Sequence, residues 1–127
     1  MFTDYPVISF ATNGNNIYAG SVLGVYLSTD SGISWQPINN YGVKNEIWSF
    51  AFNGNNIFIG TYGDGVNLTT NNGVGWQRVC RGMNSTDVIS MAINENNIYA
   101  GTNGAGLSIS SDNGANWVQL NNGLTRN

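Results

Sequence analysis

Short apolar-rich runs recur along this chain, separated by stretches of Asn, Gly, Ser and Thr. The first runs are Val7 to Ala11, Asn16 to Gly20, Val25 to Ser28 and Trp35 to Ile38. Each is short and rich in β-branched or aromatic residues, with turn chemistry at every gap, so the pattern predicts four antiparallel strands and no helix. The series then repeats. Val7-Ile8-Ser9-Phe10-Ala11 matches Ile47-Trp48-Ser49-Phe50-Ala51 and Val88-Ile89-Ser90-Met91-Ala92. Asn13-Gly14-Asn15-Asn16-Ile17-Tyr18 matches Asn53-Gly54-Asn55-Asn56-Ile57-Phe58 and Asn94-Glu95-Asn96-Asn97-Ile98-Tyr99.

The sharpest element of the repeat is a polar turn that ends in tryptophan. It reads Ser28-Thr29-Asp30-Ser31-Gly32-Ile33-Ser34-Trp35, then Thr69-Thr70-Asn71-Asn72-Gly73-Val74-Gly75-Trp76, then Ser110-Ser111-Asp112-Asn113-Gly114-Ala115-Asn116-Trp117. Trp35, Trp76 and Trp117 are each 41 residues apart. Gly32, Gly73 and Gly114 can take the positive φ of a tight hairpin without a Cβ penalty. Asp30, Asn71 and Asp112 can accept backbone N–H groups across the turn, and Ser28, Thr69 and Ser110 can add a hydroxyl bond. The tryptophans are expected to bury their rings with the indole N–H bonded. On this reading the turn is self-satisfied and structural, and it holds neither a metal nor an anion.

Four short strands in a period of about 40 residues describe a β-propeller blade. The turn S/T-x-D/N-x-G-x-x-W, lying between the third and fourth strands, resembles the Asp-box or bacterial neuraminidase repeat. That repeat occurs in sialidases, sortilin-type receptor domains, xyloglucan-cleaving glycosidases and photosystem assembly factors of the propeller type. The resemblance spans Val7 to Asn122. It departs before the tryptophan, where the family usually has Thr and this chain has Ser34, Gly75 and Asn116, and at Asn71, which stands for Asp. It implies an all-β fold of three four-stranded blades in one repeat domain over residues 1–127, with blades at about 7–40, 47–81 and 88–122. It also implies that the Asp-box is structural and lies away from any catalytic centre.

Three blades cannot form a complete ring, and propellers typically close with roughly four to eight. The expectation is that identical chains join head to tail. Six blades from a homodimer are favoured, nine from a homotrimer are the alternative, and a piece of a longer propeller is the third reading. The tail from Asn121 to Asn127 resembles the sequence that elsewhere leads into the next blade.

Composition narrows the function. Only 9% of the 127 residues are charged against 41% hydrophobic, and polarity comes from Asn, Ser, Thr and 17 glycines. That is far below the usual quarter of charged residues. With Lys44, Arg78, Arg81 and Arg126 as the whole cation set and a net charge of −3, nucleic-acid binding is not expected. No stretch is long and apolar enough for a membrane helix. The first six residues do not form a signal peptide, which leaves the compartment open. There is no histidine, and the one cysteine, Cys80, cannot form an intrachain disulfide and has no base beside it in sequence. No cofactor or metal is expected.

A sialidase-like activity would need an arginine triad, a tyrosine nucleophile with a carboxylate partner, and an acid. Arg78, Arg81 and Arg126 do not occupy equivalent blade positions. Paired carboxylates for glycoside hydrolysis have no diagnostic context at Glu46, Asp64 or Asp87. The expectation is therefore a non-catalytic scaffold or binding module. The alternatives are a carbohydrate-binding lectin and a glycoside hydrolase or sialidase whose site forms between chains. The candidate ligand face is the one opposite the Asp-boxes, carrying Tyr41, Trp48, Tyr62, Asp64 and Arg81. Aromatic rings beside Asn, Asp and Arg can stack on a sugar and bond its hydroxyls, or hold a protein segment. Trp48 stands out because its counterparts are Ile8 and Ile89, although filling space between blades would explain it too.

Overall fold

The computed structural model describes residues 6–22, 24–38 and 45–120. These form twelve strands: β1 (Val7–Asn13), β2 (Asn16–Ser21), β3 (Gly24–Ser28) and β4 (Gln36–Pro37); β5 (Ile47–Asn53), β6 (Asn56–Thr61), β7 (Val66–Thr69) and β8 (Gln77–Arg78); β9 (Val88–Asn94), β10 (Asn97–Thr102), β11 (Gly106–Ser110) and β12 (Val118–Gln119). Each set of four is one antiparallel sheet in sequence order. No helix occurs among the described residues. The innermost strands β1, β5 and β9 pack against one another in turn.

Local chemistry accounts for the meanders. The β1–β2, β5–β6 and β9–β10 hairpins close on the pairs Asn13↔Asn16, Asn53↔Asn56 and Asn94↔Asn97. The first residue of each two-residue turn has positive φ, +64° at Gly14, +60° at Gly54 and +58° at Glu95. The first strand of each repeat thus runs to its Asn, two residues beyond the apolar segment, because the tight turn holds the ladder together to its end. The fourth strand is shorter than its apolar run predicts. Its tryptophan stays in the turn, and only two residues pair with the third strand. One further amide continues the contact, from Ile38 to the Val25 carbonyl (2.9 Å) and from Val79 to that of Val66 (2.7 Å).

The apolar core lies between sheets rather than within them. One cluster joins Tyr18, Val25 and Ile38 of the first sheet to Ile47, Ile57 and Ile59 of the second. A second joins Phe58, Val66 and Val79 of the second sheet to Val88, Ile98 and Trp117 of the third. Close approach is needed at these joints. A Cβ on Gly20 would lie 2.8 Å from Ile47 Cβ, and one on Gly60 would lie 2.6 Å from Val88 Cγ1. Only glycine lets the neighbouring strand come that near.

Candidate functional site

The tryptophan turns are closed hydrogen-bonded units whose hub is the leading hydroxyl. Ser28 Oγ accepts the amides of Gly32 (2.8 Å) and Asp30 (3.4 Å) and donates to Asp30 Oδ1 (2.8 Å). Thr69 does the same with Gly73, Asn71 N and Asn71 Oδ1, and Ser110 with Gly114, Asp112 N and Asp112 Oδ1. All three hydroxyl residues are buried. The Asp or Asn oxygen then accepts the amide four residues on, Ser34 (2.8 Å), Gly75 (3.0 Å) or Asn116 (2.9 Å). Gly32, Gly73 and Gly114 have φ of +91°, +85° and +86°. The residues just before them, Ser31, Asn72 and Asn113, are left-handed as well, a demand that sequence reading missed at Ser31.

The turns are not self-sufficient, and here the expectation needs correction. Trp35 Nε1 donates to its own Gly32 carbonyl (3.0 Å). Trp76 Nε1 instead donates to the Ile38 carbonyl of the sheet before it (2.8 Å). Trp117 Nε1 is shared between Gly114 in its own turn (3.0 Å) and Val79 of the preceding sheet (2.8 Å). The indole reaches across the joint because the ends of the fourth strands of the first and second repeats, at Ile38 and Val79, lie against the next tryptophan hairpin. These turns therefore tie sheet to sheet.

The same bonds set the acid chemistry of the turns. The Ser34 hydroxyl, the Ser34 amide and the Ser28 hydroxyl lower the Asp30 carboxyl from 3.8 to about 2. The Asn116 side chain, its amide and the Ser110 hydroxyl lower Asp112. A folded-state value below the unfolded one means that these groups stabilise the fold fully above about pH 4. That contribution disappears as pH falls toward the folded value. Denaturant midpoints followed by circular dichroism are expected to fall between about pH 4 and pH 2. Asp30→Asn with Asp112→Asn, copying the neutral Asn71, is expected to flatten that decline. An unchanged pH profile in the double variant would show that the decline comes from other carboxylates.

The opposite face centres on the second sheet. A register shift between residues 47 and 49 leaves Trp48 outside the β5–β6 ladder, and a bulge of this kind re-aims the side chain it displaces. The same shift releases Ile8 and Ile89 in the other sheets. Trp48 is 37% exposed and lies 6.0 Å, centroid to centroid, from the 48% exposed ring of Tyr62. Its indole N–H donates to Glu46 Oε1 at 3.0 Å. The loop beneath is fixed by hydrogen bonds to its backbone. Tyr62 N donates to the Glu46 carbonyl, Asn45 Nδ2 to the Tyr62 carbonyl, and Gly63 N and Gly65 N to the Thr86 carbonyl. Tyr62 also bridges to Asp87.

The remaining candidates are placed apart from this pair. Asp64 is held by Asn67 Nδ2 (3.3 Å) and by Arg78, whose Nε lies 3.5 Å from Asp64 Oδ1 and 3.3 Å from the Asp64 carbonyl. The cation beside Asp64 is thus Arg78 rather than Arg81. Arg81 accepts the Trp117 amide on its carbonyl (2.8 Å), which sets its backbone beside the tryptophan hairpin of the third sheet. Cys80 is half-buried against Gly65. Tyr41 and Lys44, like the tail from Asn121 and Arg126 within it, lie outside the described residues. Sequence reading passed over Glu46 as the indole's partner. Glu46 lies before β5, and the bulge that re-aims Trp48 is not a feature that the sequence displays, so no local signal marked the pair. No group of three or more Cys, Asp or Glu side chains able to hold a metal occurs among the described residues.

Comparison with solved structures places the fold. An ancestral GH74 enzyme superposes with a TM-score of 0.73 at 26% identity, over 90% of this chain and 18% of the enzyme. YCF48 from Cyanidioschyzon merolae gives 0.75 at 16% identity, over 94% of this chain and 38% of its own. The computationally designed Ika4 protein gives 0.66 at 15% identity, over 82% of this chain and 64% of its own. The chain thus spans about a fifth of the GH74 enzyme and well under half of YCF48. No family profile and no curated protein sequence matches it. Sheet layout and likeness together make the chain an all-β protein whose three four-stranded sheets are β-propeller blades.

Proposed function

We propose that the protein is a non-catalytic scaffold of the Asp-box propeller type that works inside a closed ring and holds a ligand on the loop face of its middle blade. The observation that carries the binding reading is the exposed Trp48–Tyr62 pair, seated on loops fixed by the Glu46, Asn45 and Thr86 bonds. The counterparts of these two positions are Ile8 and Val22 in the first repeat and Ile89 and Asn103 in the third. A shelf in one blade only suits recognition better than fold maintenance. With its N–H bonded to Glu46, the indole offers its faces for stacking, and a carboxylate beside it accepts hydroxyl protons. That chemistry favours a glycan, which makes a lectin-like role the leading form of the binding reading.

The GH74 likeness raises glycoside cleavage as a second reading. Such cleavage needs two carboxylates flanking a substrate bond. Here Glu46 is engaged by the Trp48 indole, and Asp64 by Arg78 and Asn67, which supports binding over turnover. The test is a glycan array read by bound protein, run beside fluorogenic glycosides. Binding without sugar release is expected. Trp48→Ala is expected to weaken it roughly 10-fold or more, in keeping with loss of an aromatic anchor. Release of the fluorophore, abolished by Glu46→Gln, would overturn the non-catalytic reading.

A further inference from the structure

We propose that the outward surfaces of the first and third sheets dock on each other in a second copy of this chain, so that two chains close a six-bladed ring. The inference rests on the closed-ring reading above and adds its partner and its contacts. The chain makes the same interface twice within itself. At the first joint Tyr18 lies on Phe50 and Phe52, with centroids 6.1 and 5.1 Å away. Ile47 packs on Gly20, and Ile38 packs on Gly73. At the second joint Met91 and Ile93 pack against the cluster that holds Phe58, Val88 packs on Gly60, and Val79 packs on Gly114.

The counterparts of these positions are the ones left open. On the third sheet they are Tyr99, Gly101 and Leu120, and on the first they are Val7, Phe10 and Gly32. Leu120 is 42% exposed where Ile38 and Val79 are 7% exposed. Phe10 is 65% exposed, and Tyr99 is half-buried where Tyr18 and Phe58 are buried. Among the described residues a Cβ on Gly32 would meet only Trp35, at 3.8 Å, whereas Gly73 and Gly114 are covered by the preceding sheet. Tyr99 and Gly101 line an open groove with Met91 and Leu107.

The two surfaces are therefore the two halves of one interface. Phe10 would lie on Tyr99, Val7 in the groove at Gly101, and Leu120 against Gly32 of the other chain. None of these positions carries a charge, so no repulsion opposes the contact. Two copies related by a dyad make this contact twice, the first sheet of each on the third sheet of the other, and leave no face open. Six blades fall within the usual four to eight, whereas nine do not.

The test is solution mass by light scattering coupled to size exclusion, across a dilution series, with binding of an anilinonaphthalene sulfonate dye as a second readout. The expected mass is twice the 13.6 kDa chain, with little dye bound. Leu120→Asp is expected to raise the dimer dissociation constant roughly 100-fold or more, because the contact would bury an unpaired carboxylate. Its circular dichroism is expected to stay unchanged, because the side chain is exposed in the single chain. Val118→Asp, at a 61% exposed position whose counterparts are Gln36 and Gln77, is expected to leave the dimer intact. A folded monomer that binds dye strongly would overturn the second copy as partner and leave the ring reading standing. A folded monomer that binds no dye would overturn both. A three-chain mass, or a dimer indifferent to Leu120→Asp, would also overturn the proposal.

Discussion

Phe58→Ala is expected to remove about 3–5 kcal/mol of stability, enough to leave the chain largely unfolded in mild denaturant. Phe58 is fully buried between the second and third sheets, in one cluster with Val88, Ile98 and Trp117. Truncation forfeits the transfer energy of the ring and leaves a cavity. The surrounding strands are locked by two ladders, β5–β6 and β6–β7, so they cannot collapse into it. Urea unfolding followed by tryptophan fluorescence reads the loss, since Trp117 lines the same cluster. A cost below about 0.5 kcal/mol, the scale of surface changes, would show that the core is not where the sheets meet.

The second large effect separates the two jobs of glycine. Gly54 and Gly73 both have positive φ, +60° and +85°. Around Gly54 a Cβ would have nothing within 4 Å among the described residues, so Gly54→Ala should cost only the left-handed penalty, about 1–2 kcal/mol. At Gly73 the Cβ would run into the Ile38 carbonyl and lie 2.8 Å from Ile38 Cβ. That carbonyl is the acceptor for the Trp76 indole, so the hairpin cannot back away without breaking a bond between sheets. Gly73→Ala is expected to cost roughly 3 kcal/mol or more, the left-handed penalty plus an overpacking term. Equal costs at the two sites, measured by the same urea titration, would mean that the tryptophan turn needs glycine for its φ alone.

Much of this architecture is legible in the residues. Asn-Gly turns, β-branched runs and a tryptophan every 41 positions specify four strands per repeat, because local sterics and turn chemistry act over a few residues. What stayed hidden depends on distance. The acceptors of Trp76 and Trp117 lie 38 residues earlier in the chain, on another sheet. No local rule points to them. The burial of Ser28, Thr69 and Ser110 as hubs follows from how the turn folds over its own strand, which a pattern of polar letters does not reveal. On the loop face, Trp48 and Tyr62 are brought together by a bulge and a loop of the same sheet. Arg78 reaches Asp64 across the β7–β8 edge, a pairing set by strand register.

Placing the core in the joints also decides what the smallest independently folding piece can be. A lone four-stranded repeat keeps its hairpins but has no enclosed apolar interior, so its ladder would have to outweigh the chain entropy unaided. A pair of adjacent repeats owns one complete joint, whether it is built on Phe58 or on Ile47. Folding cooperativity in such a molecule is a nearest-neighbour property, carried from sheet to sheet and not by any one of them. The unit that folds is then offset from the unit that repeats. It begins on the face of one sheet and ends on the facing surface of the next.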